Sequence, residues 1–403
     1  LKYIQYDGWM TTQKIDFTAT HSVLQNAVDG QLLAGVSAAV MFNGEVVDAF
    51  CTGMADMESG EALRVDHIHR AYSNTKIMTS MLVLKLADDG YFTIDDAIKK
   101  WIPAFGKVRV LKPNATTLDD TEALQHDITI RHLLSHQAGL SHGVFDMGSL
   151  IFNAYHASGA RKSDTTLAQL MAQLASLPLI YQPGQGWEYS MAPDVLARLV
   201  EVVTGQVYAD ALKTRLFAPL GMVDTTYVLR PEQVSRFTAL YIGDAKQPNK
   251  PGLKRLDNMP WPSAFLEPVP RQAGSSGVVT TQADMLRLMQ QLTPKFGTYL
   301  KPATLAEMLR DQLPPERCIH VANVGAFPSL GFGLGGAVTR SISELQPNSP
   351  TGEFQWGGLG GTHWWVSPST GYSGVVMTQR HWGFWNPFWF EYKQKVYDAV
   401  AKG

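Results

Sequence analysis

Apolar and polar positions along the chain change period several times, and each change predicts an element. Phe17, Val23, Leu24, Ala27 and Val28 recur at helical spacing over residues 17–30, where Gly30 supplies a stop. Two β-rich runs, 35–43 and 45–53, then meet around Asn43-Gly44, the strongest short-range hairpin signal. Residues 74–88 form a helix with apolar side chains on every side, closed by Asp88-Asp89-Gly90. Thr93 caps a further helix that stops before Pro103. Helical spacing also marks 129–137, 165–176, 192–204 and 207–217, while the polar stretch 107–127 reads as a surface loop. Residues 243–273, rich in proline, read as an irregular excursion of the kind that walls a binding site. After a helix at 282–293 the β character returns in short runs at 330–338, 353–358, 363–367 and 374–379, before a terminal helix at 387–401. Strand-rich ends thus enclose a helical middle. The expected fold is α+β: an antiparallel sheet flanked by helices, built from residues 1–93 and 236–403, with a mainly helical domain, 94–235, inserted between its halves.

Composition narrows the function classes. The chain has 403 residues, 45% apolar and 17% charged, enough apolar material for substantial cores. Its 34 basic and 36 acidic residues leave a net charge of −2, so no cationic field is expected to draw nucleic acid or anionic lipid. No apolar run approaches the length of about 18 residues that spans a bilayer. Cys51 and Cys318 are too few for a disulfide framework, although a single bridge between them stays open. The first residues lack a charged flank followed by an apolar stretch, so a cytoplasmic protein is expected; a leader removed ahead of Leu1 stays open. Nothing in the pattern fixes the oligomeric state, and a homo-oligomer is compatible with it.

Three segments carry candidate chemistry. In Ser73-Asn74-Thr75-Lys76 the lysine lies in the first turn of the all-apolar helix, with no water-facing side, and shares a face with the serine three residues earlier. Helix N-terminal amides stabilise developing negative charge, and a buried ammonium can activate the hydroxyl or hold a neighbouring base ionised. The bland alternative is a capping serine with a surface lysine. In Trp187-Glu188-Tyr189-Ser190-Met191, Tyr189 sits at a loop-to-helix edge. A phenol is a poor base at neutrality unless a nearby cation favours its phenolate, so a basic role for Tyr189 depends on Lys76. In Trp356-Gly357-Gly358-Leu359-Gly360-Gly361 the glycines suit a strand edge that approaches a ligand closely, or simply a turn.

Taken in order, Ser-x-x-Lys, Tyr-Ser-x and Trp-Gly-Gly resemble the serine β-lactamase and penicillin-binding-protein superfamily, and most of all the family VIII carboxylesterases of its class C-like branch. Residues 128–140, Leu216-Phe217-Ala218-Pro219-Leu220-Gly221-Met222 and Gly274-Ser275-Ser276-Gly277-Val278 are similar to recurring phrases of that family, and the likeness runs from about residue 17 to 400. The resemblance implies a β-lactamase/DD-peptidase-like fold and hydrolysis of a small-molecule ester through an acyl-enzyme. Ser73 would be nucleophile, Lys76 its activator and Tyr189 the general base, with the N–H groups of Ser73 and Leu359 as oxyanion hole. It implies no metal and no cofactor. Met191 stands where lactamases have the asparagine of Tyr-x-Asn, and Trp356 where they have lysine. Both departures point towards neutral esters. Acyl transfer to an alcohol, β-lactam or peptide hydrolysis, and an inert penicillin-recognising binder are the alternatives. An inert relative would have no reason to keep a buried lysine beside the serine and tyrosine.

Other motifs compete for attention. Gly139-Leu140-Ser141-His142-Gly143 matches the nucleophile elbow of α/β-hydrolases, but the preceding residues are helical rather than strand-like. Gly331-Phe332-Gly333-Leu334-Gly335-Gly336 contains G-x-G-x-x-G without a following helix. His67 with His69 and His132 with His136 have zinc-like spacings but no evident third ligand, so structural roles are expected. Six tryptophans fall after residue 355; Trp356, Trp382 and Trp385, with Gly357, Gly358 and Met191, are candidate walls of an acyl or alcohol pocket.

Overall fold

The computed structural model describes residues 15–244, 246–256, 263–383 and 386–402. Its centre is an antiparallel sheet of eight strands: β1 (Gly35–Phe42), β2 (Glu45–Asp56), β3 (Glu61–Ala62), β4 (Leu330–Phe332), β5 (Ala337–Thr339), β6 (Phe354–Gly358), β7 (Thr362–Val366) and β8 (Tyr372–Thr378). Their order across the sheet is β4-β5-β6-β7-β8-β1-β2-β3. The N-terminal hairpin thus pairs with the last long strand, with Val36 opposite Thr378 and Val40 opposite Gly374. At the tip of that hairpin Asn43 and Gly44 both have positive φ (48° and 81°), the conformation that matches the twist of the flanking strands.

Side chains alternate across β1, and both faces are covered. Val36, Ala38 and Val40 join Trp365, Tyr372 and Val376 beneath the first helix, α1 (Thr18–Asp29), and the last, Pro387–Val400. Ala39 and Met41 point the other way, into a core shared with Trp364, Val375 and Met377 and with the helices of the middle segment. Burial on both faces explains why β1 is apolar at nearly every position.

The second helix, α2 (Thr75–Asp88), is buried along almost its whole length. It shares a core with α3 (Ile130–Leu134), α4 (Leu150–Ala157), α5 (Leu167–Ala175), α6 (Ala192–Thr204) and α7 (Tyr208–Leu212), and α6 touches α2, α3, α5 and α7. Three further helices follow: α8 (Gln282–Gln291), α9 (Pro302–Leu309) and α10 (Pro387–Val400).

The expected helix after Thr93 does not form; only short 3-10 turns occur, at Ile98–Lys100 and Pro103–Gly106. Here the backbone bonds elsewhere: the Ile98 N–H donates to the Ile128 carbonyl at 2.8 Å, and the Ile94 carbonyl accepts the Arg131 N–H at 2.7 Å. The stretch read as a plain surface loop, 107–127, contains a small hairpin of Arg109–Leu111 with Thr121–Ala123. Helices α4 and α9 were not foreseen. Cys51 and Cys318 are not bridged. Among the described residues no helix is long and apolar enough to cross a membrane.

Candidate active site

Ser73 lies in a 3-10 turn, Tyr72–Asn74, that runs directly into α2. Tyr72 holds a left-handed backbone, φ 46°, a conformation costly for a residue with a side chain and common at functional turns. The turn is pinned from three sides. The Ala71 N–H donates to the Val278 carbonyl at 2.9 Å, the Asn74 amide donates to Thr362 Oγ1 at 3.0 Å, and β6 presses on it from above. That last approach requires glycine, because a Cβ on Gly358 would lie 2.4 Å from the Ala71 carbonyl oxygen.

Lys76, one turn along, is 2% exposed. Its ammonium donates to Ser73 Oγ at 3.2 Å and to the Ser275 carbonyl at 2.8 Å. Gly274 makes the second contact accessible, since a Cβ there would meet the Pro193 carbonyl oxygen at 2.1 Å. From across the cleft, the Tyr189 hydroxyl donates to Ser73 Oγ at 2.8 Å. The Lys76 ammonium also stands over the Tyr189 ring, 4.6 Å from its centroid, so the cation acts on the phenol through its π face and through the shared serine oxygen. The arrangement can move a proton from Ser73 to a partner on either side, which is the geometry of an activated nucleophile.

An aromatic collar fixes Tyr189. His142 stacks on it with the rings 5.3 Å apart and 4° from parallel, and His136, Phe145 and Trp356 close the other sides. Burial first, and the Lys76 charge second, hold His136 and His142 well below the usual imidazole range, so both are neutral rings. The Trp356 indole N–H donates to the Tyr189 oxygen at 3.3 Å. Burial, with Asp146 nearby, pushes the adjacent Glu188 carboxyl up to about 8, so it brings little negative charge to this corner at neutral pH.

Ser73 and Tyr189 open onto a cavity of about 380 Å³. Of the residues expected to line it, Trp356, Gly357, Leu359 and Met191 do. Gly358 does not; its part is the close approach to the serine turn. Trp382 is not among the lining residues either: it is 39% exposed at the rim, edge-on to Phe145. Trp385 falls outside the described residues. His142, Phe145, Asp194, His381, Arg161 and Arg271 line the cavity and were not recognised from the sequence. They come from different parts of the chain: His142 and Phe145 from one loop, Asp194 from the first turn of α6, His381 from a short strand, and Arg161 and Arg271 from two further loops.

The competing motifs resolve into structure. Ser141 is fully buried, its hydroxyl donating to Asp146 at 2.8 Å and accepting the Gly143 N–H at 2.9 Å. His136 Nδ1 bonds Ser190 Oγ, His67 bonds Glu61, and His69 bonds the His67 carbonyl. Gly331–Gly336 belongs to the β4–β5 hairpin. Among the described residues no group of three or more His, Cys, Asp or Glu side chains is placed to hold a metal ion.

Known proteins resemble the chain over most of its length. Esterase EstB of Burkholderia gladioli is 31% identical over 394 residues, 93% of this chain and 94% of that protein. Lovastatin esterase of Penicillium rubens is 27% identical, covering 89% and 92%. Among solved structures, EstCE1, described as a hydrolase with promiscuous acyltransferase activity, superposes with a TM-score of 0.79 at 26% identity over 94% of this chain and 97% of its own. The Beta-lactamase family model matches residues 21–383. A sheet of this order, a serine turn feeding a buried helix, and a match spanning most of the sequence lead to one assignment: the chain belongs to the Beta-lactamase family.

Proposed function

We propose that the protein is a serine carboxylesterase that cleaves small-molecule esters through an acyl-enzyme on Ser73. The observation that carries this reading is the double hydrogen bond at one oxygen: Ser73 Oγ receives Tyr189 at 2.8 Å and Lys76 at 3.2 Å at the edge of a cavity. For proton transfer the sense of that Tyr189–Ser73 hydrogen bond reverses: Tyr189, as phenolate beside the Lys76 cation, takes the Ser73 proton while the serine oxygen bonds to the ester carbonyl carbon. The resulting oxyanion rests on the N–H groups of Ser73 and Leu359. Tyr189 returns its proton to the departing alkoxide, and the alcohol leaves. A water then gives its proton to Tyr189 and attacks the acyl carbon; as the acyl–serine bond breaks, Tyr189 passes that proton to Ser73 Oγ and the acid is released. Met191, buried against the cleft, offers no amide to a β-lactam or peptide carbonyl, which favours esters.

The esterase names of two relatives support the same reading. Transfer of the acyl group to an alcohol is the second reading, favoured by acyltransferases among the relatives, such as calJ of Penicillium decumbens at 26% identity.

The test is burst release of p-nitrophenol from short-chain p-nitrophenyl esters. Ser73→Ala should lose at least about a thousandfold in turnover, because the remaining site supplies only binding and oxyanion donors. Ser141→Ala should turn over normally but lose roughly 1–3 kcal/mol of stability, the cost of stranding a buried hydrogen-bond partner. The reverse pattern of activities would sink the assignment of Ser73. Acid against ester product in the presence of a short alcohol separates hydrolysis from transfer.

A further inference from the structure

Two arginines share a wall of the Ser73 cavity. Arg161 follows α4, and Arg271 comes from the excursion that precedes α8; both line the cavity together with Ser73, Tyr189 and Trp356. Arg271 is 7% exposed and Arg161 half-buried. Among the described residues each donates a single hydrogen bond, to a main-chain carbonyl: Arg161 to His142 at 3.1 Å, and Arg271 to Ala160 at 2.6 Å. The second bond binds the two side chains to one loop. A guanidinium has five N–H donors, so each retains several without a protein acceptor among the described residues. Neither makes an ion pair among those residues, which is unusual for a cation removed from water.

The nearby acids do not satisfy them. Asp194 is completely buried, and burial raises its carboxyl from the usual range; it attracts both arginines without reaching either within hydrogen-bond distance. Asp146 accepts hydrogen bonds from Ser141 and Ser149. Glu267 and Asp164 are exposed. Burial lowers both guanidinium groups from their ordinary value, a cost that a bound anion would offset. Planar N–H forks of this kind match a carboxylate.

We propose that Arg161 and Arg271 form an anion-recognition subsite of the catalytic cavity, and that the ester cleaved there carries a carboxylate on its acyl or alcohol part. The inference rests on the esterase reading and refines its substrate class. It departs from the expectation of neutral esters drawn above from Trp356 in place of lysine. The charge is present, on a different wall.

Matched substrate pairs test it. For the acyl side, p-nitrophenyl hemiglutarate is compared with p-nitrophenyl valerate; for the alcohol side, 4-acetoxybenzoate is compared with phenyl acetate. In at least one pair the wild-type protein should favour the anionic member in kcat/KM by tenfold or more. Arg161→Gln and Arg271→Gln should each reduce that preference at least tenfold, mainly through KM, with Arg271→Lys retaining part of it. A merely bracing role would leave the ratio unmoved. Should the variants fail to fold, the wild type still decides: glutarate should inhibit hydrolysis of the neutral ester competitively, and pentane-1,5-diol should not. No preference in either pair, or inhibition by neither or both compounds, overturns the subsite. Loss of Ser73-dependent cleavage of the neutral esters would instead overturn the esterase reading itself.

Discussion

The indole of Trp356 acts on Tyr189 in two ways: its ring packs 5.3 Å from the phenol ring, and its N–H reaches the phenol oxygen at 3.3 Å. A donor at that oxygen stabilises negative charge that develops there during proton transfer, without bringing a charge of its own. Trp356→Phe keeps the packing and removes the donor. One hydrogen bond to a charged oxygen is worth about 1.5–3 kcal/mol, so kcat should fall roughly tenfold to a hundredfold with KM little changed. An equal rise in KM with kcat intact would mean that the indole serves substrate binding instead. At this scale the sequence was most informative where chemistry is local. Ser73 and Lys76 are three residues apart on one turn, and Tyr189 opens a helix with a recognisable phrase around it. Arg161, Arg271 and His142 reach the cavity from three loops, and only the packed chain brings them together.

Elements were legible where burial imposes one period and obscure where tertiary hydrogen bonds override it. Helix α2 is apolar all round because it is buried within the main core, against α6, α7 and the turn that follows α7. The stretch after Thr93 has helical composition, yet its Ile98 N–H bonds the Ile128 carbonyl and its Ile94 and Asp96 carbonyls accept from Arg131 and Ile130, so no helix forms. The glycines of β6 were ambiguous between turn and close approach, and the structure separates them by position. Gly358 lies at the strand end, against the serine turn. Gly358→Ala would drive a methyl group to 2.4 Å from the Ala71 carbonyl and 2.5 Å from Thr362 Oγ1, and the backbone oxygen cannot rotate away. The strand end, with the Leu359 N–H, should retreat from Ser73. We expect a drop in kcat of at least tenfold, and weaker trapping by a phosphonate that mimics the tetrahedral oxyanion. Full activity in Gly358→Ala would remove the Leu359 amide from the mechanism.

At the scale of the whole molecule, the two ends of the chain build the sheet that presents the site, and one buried polar cluster joins the last helix to it. Lys393 on α10 is 1% exposed and Glu353, just before β6, is 0% exposed; the two form an ion pair inside the protein. Lys393 also donates to Gln355 at 3.0 Å, and the Tyr397 hydroxyl donates to Glu353. Burial pulls the Lys393 ammonium below its ordinary value, while Glu353 draws it back up, so the pair is held by its own partners rather than by water. The cluster fixes the start of the strand whose other end carries Gly357, Gly358 and Leu359. Lys393→Met would leave the carboxylate without its cation in a water-free place, which costs about 3–5 kcal/mol. Urea unfolding should show that loss as a lower midpoint with an unchanged slope. Pairing the change with Glu353→Gln removes the stranded charge and should recover more than half of it. A single variant within about 1 kcal/mol of the wild type would mean that water reaches the cluster, and that the terminal helix is held by its apolar face alone.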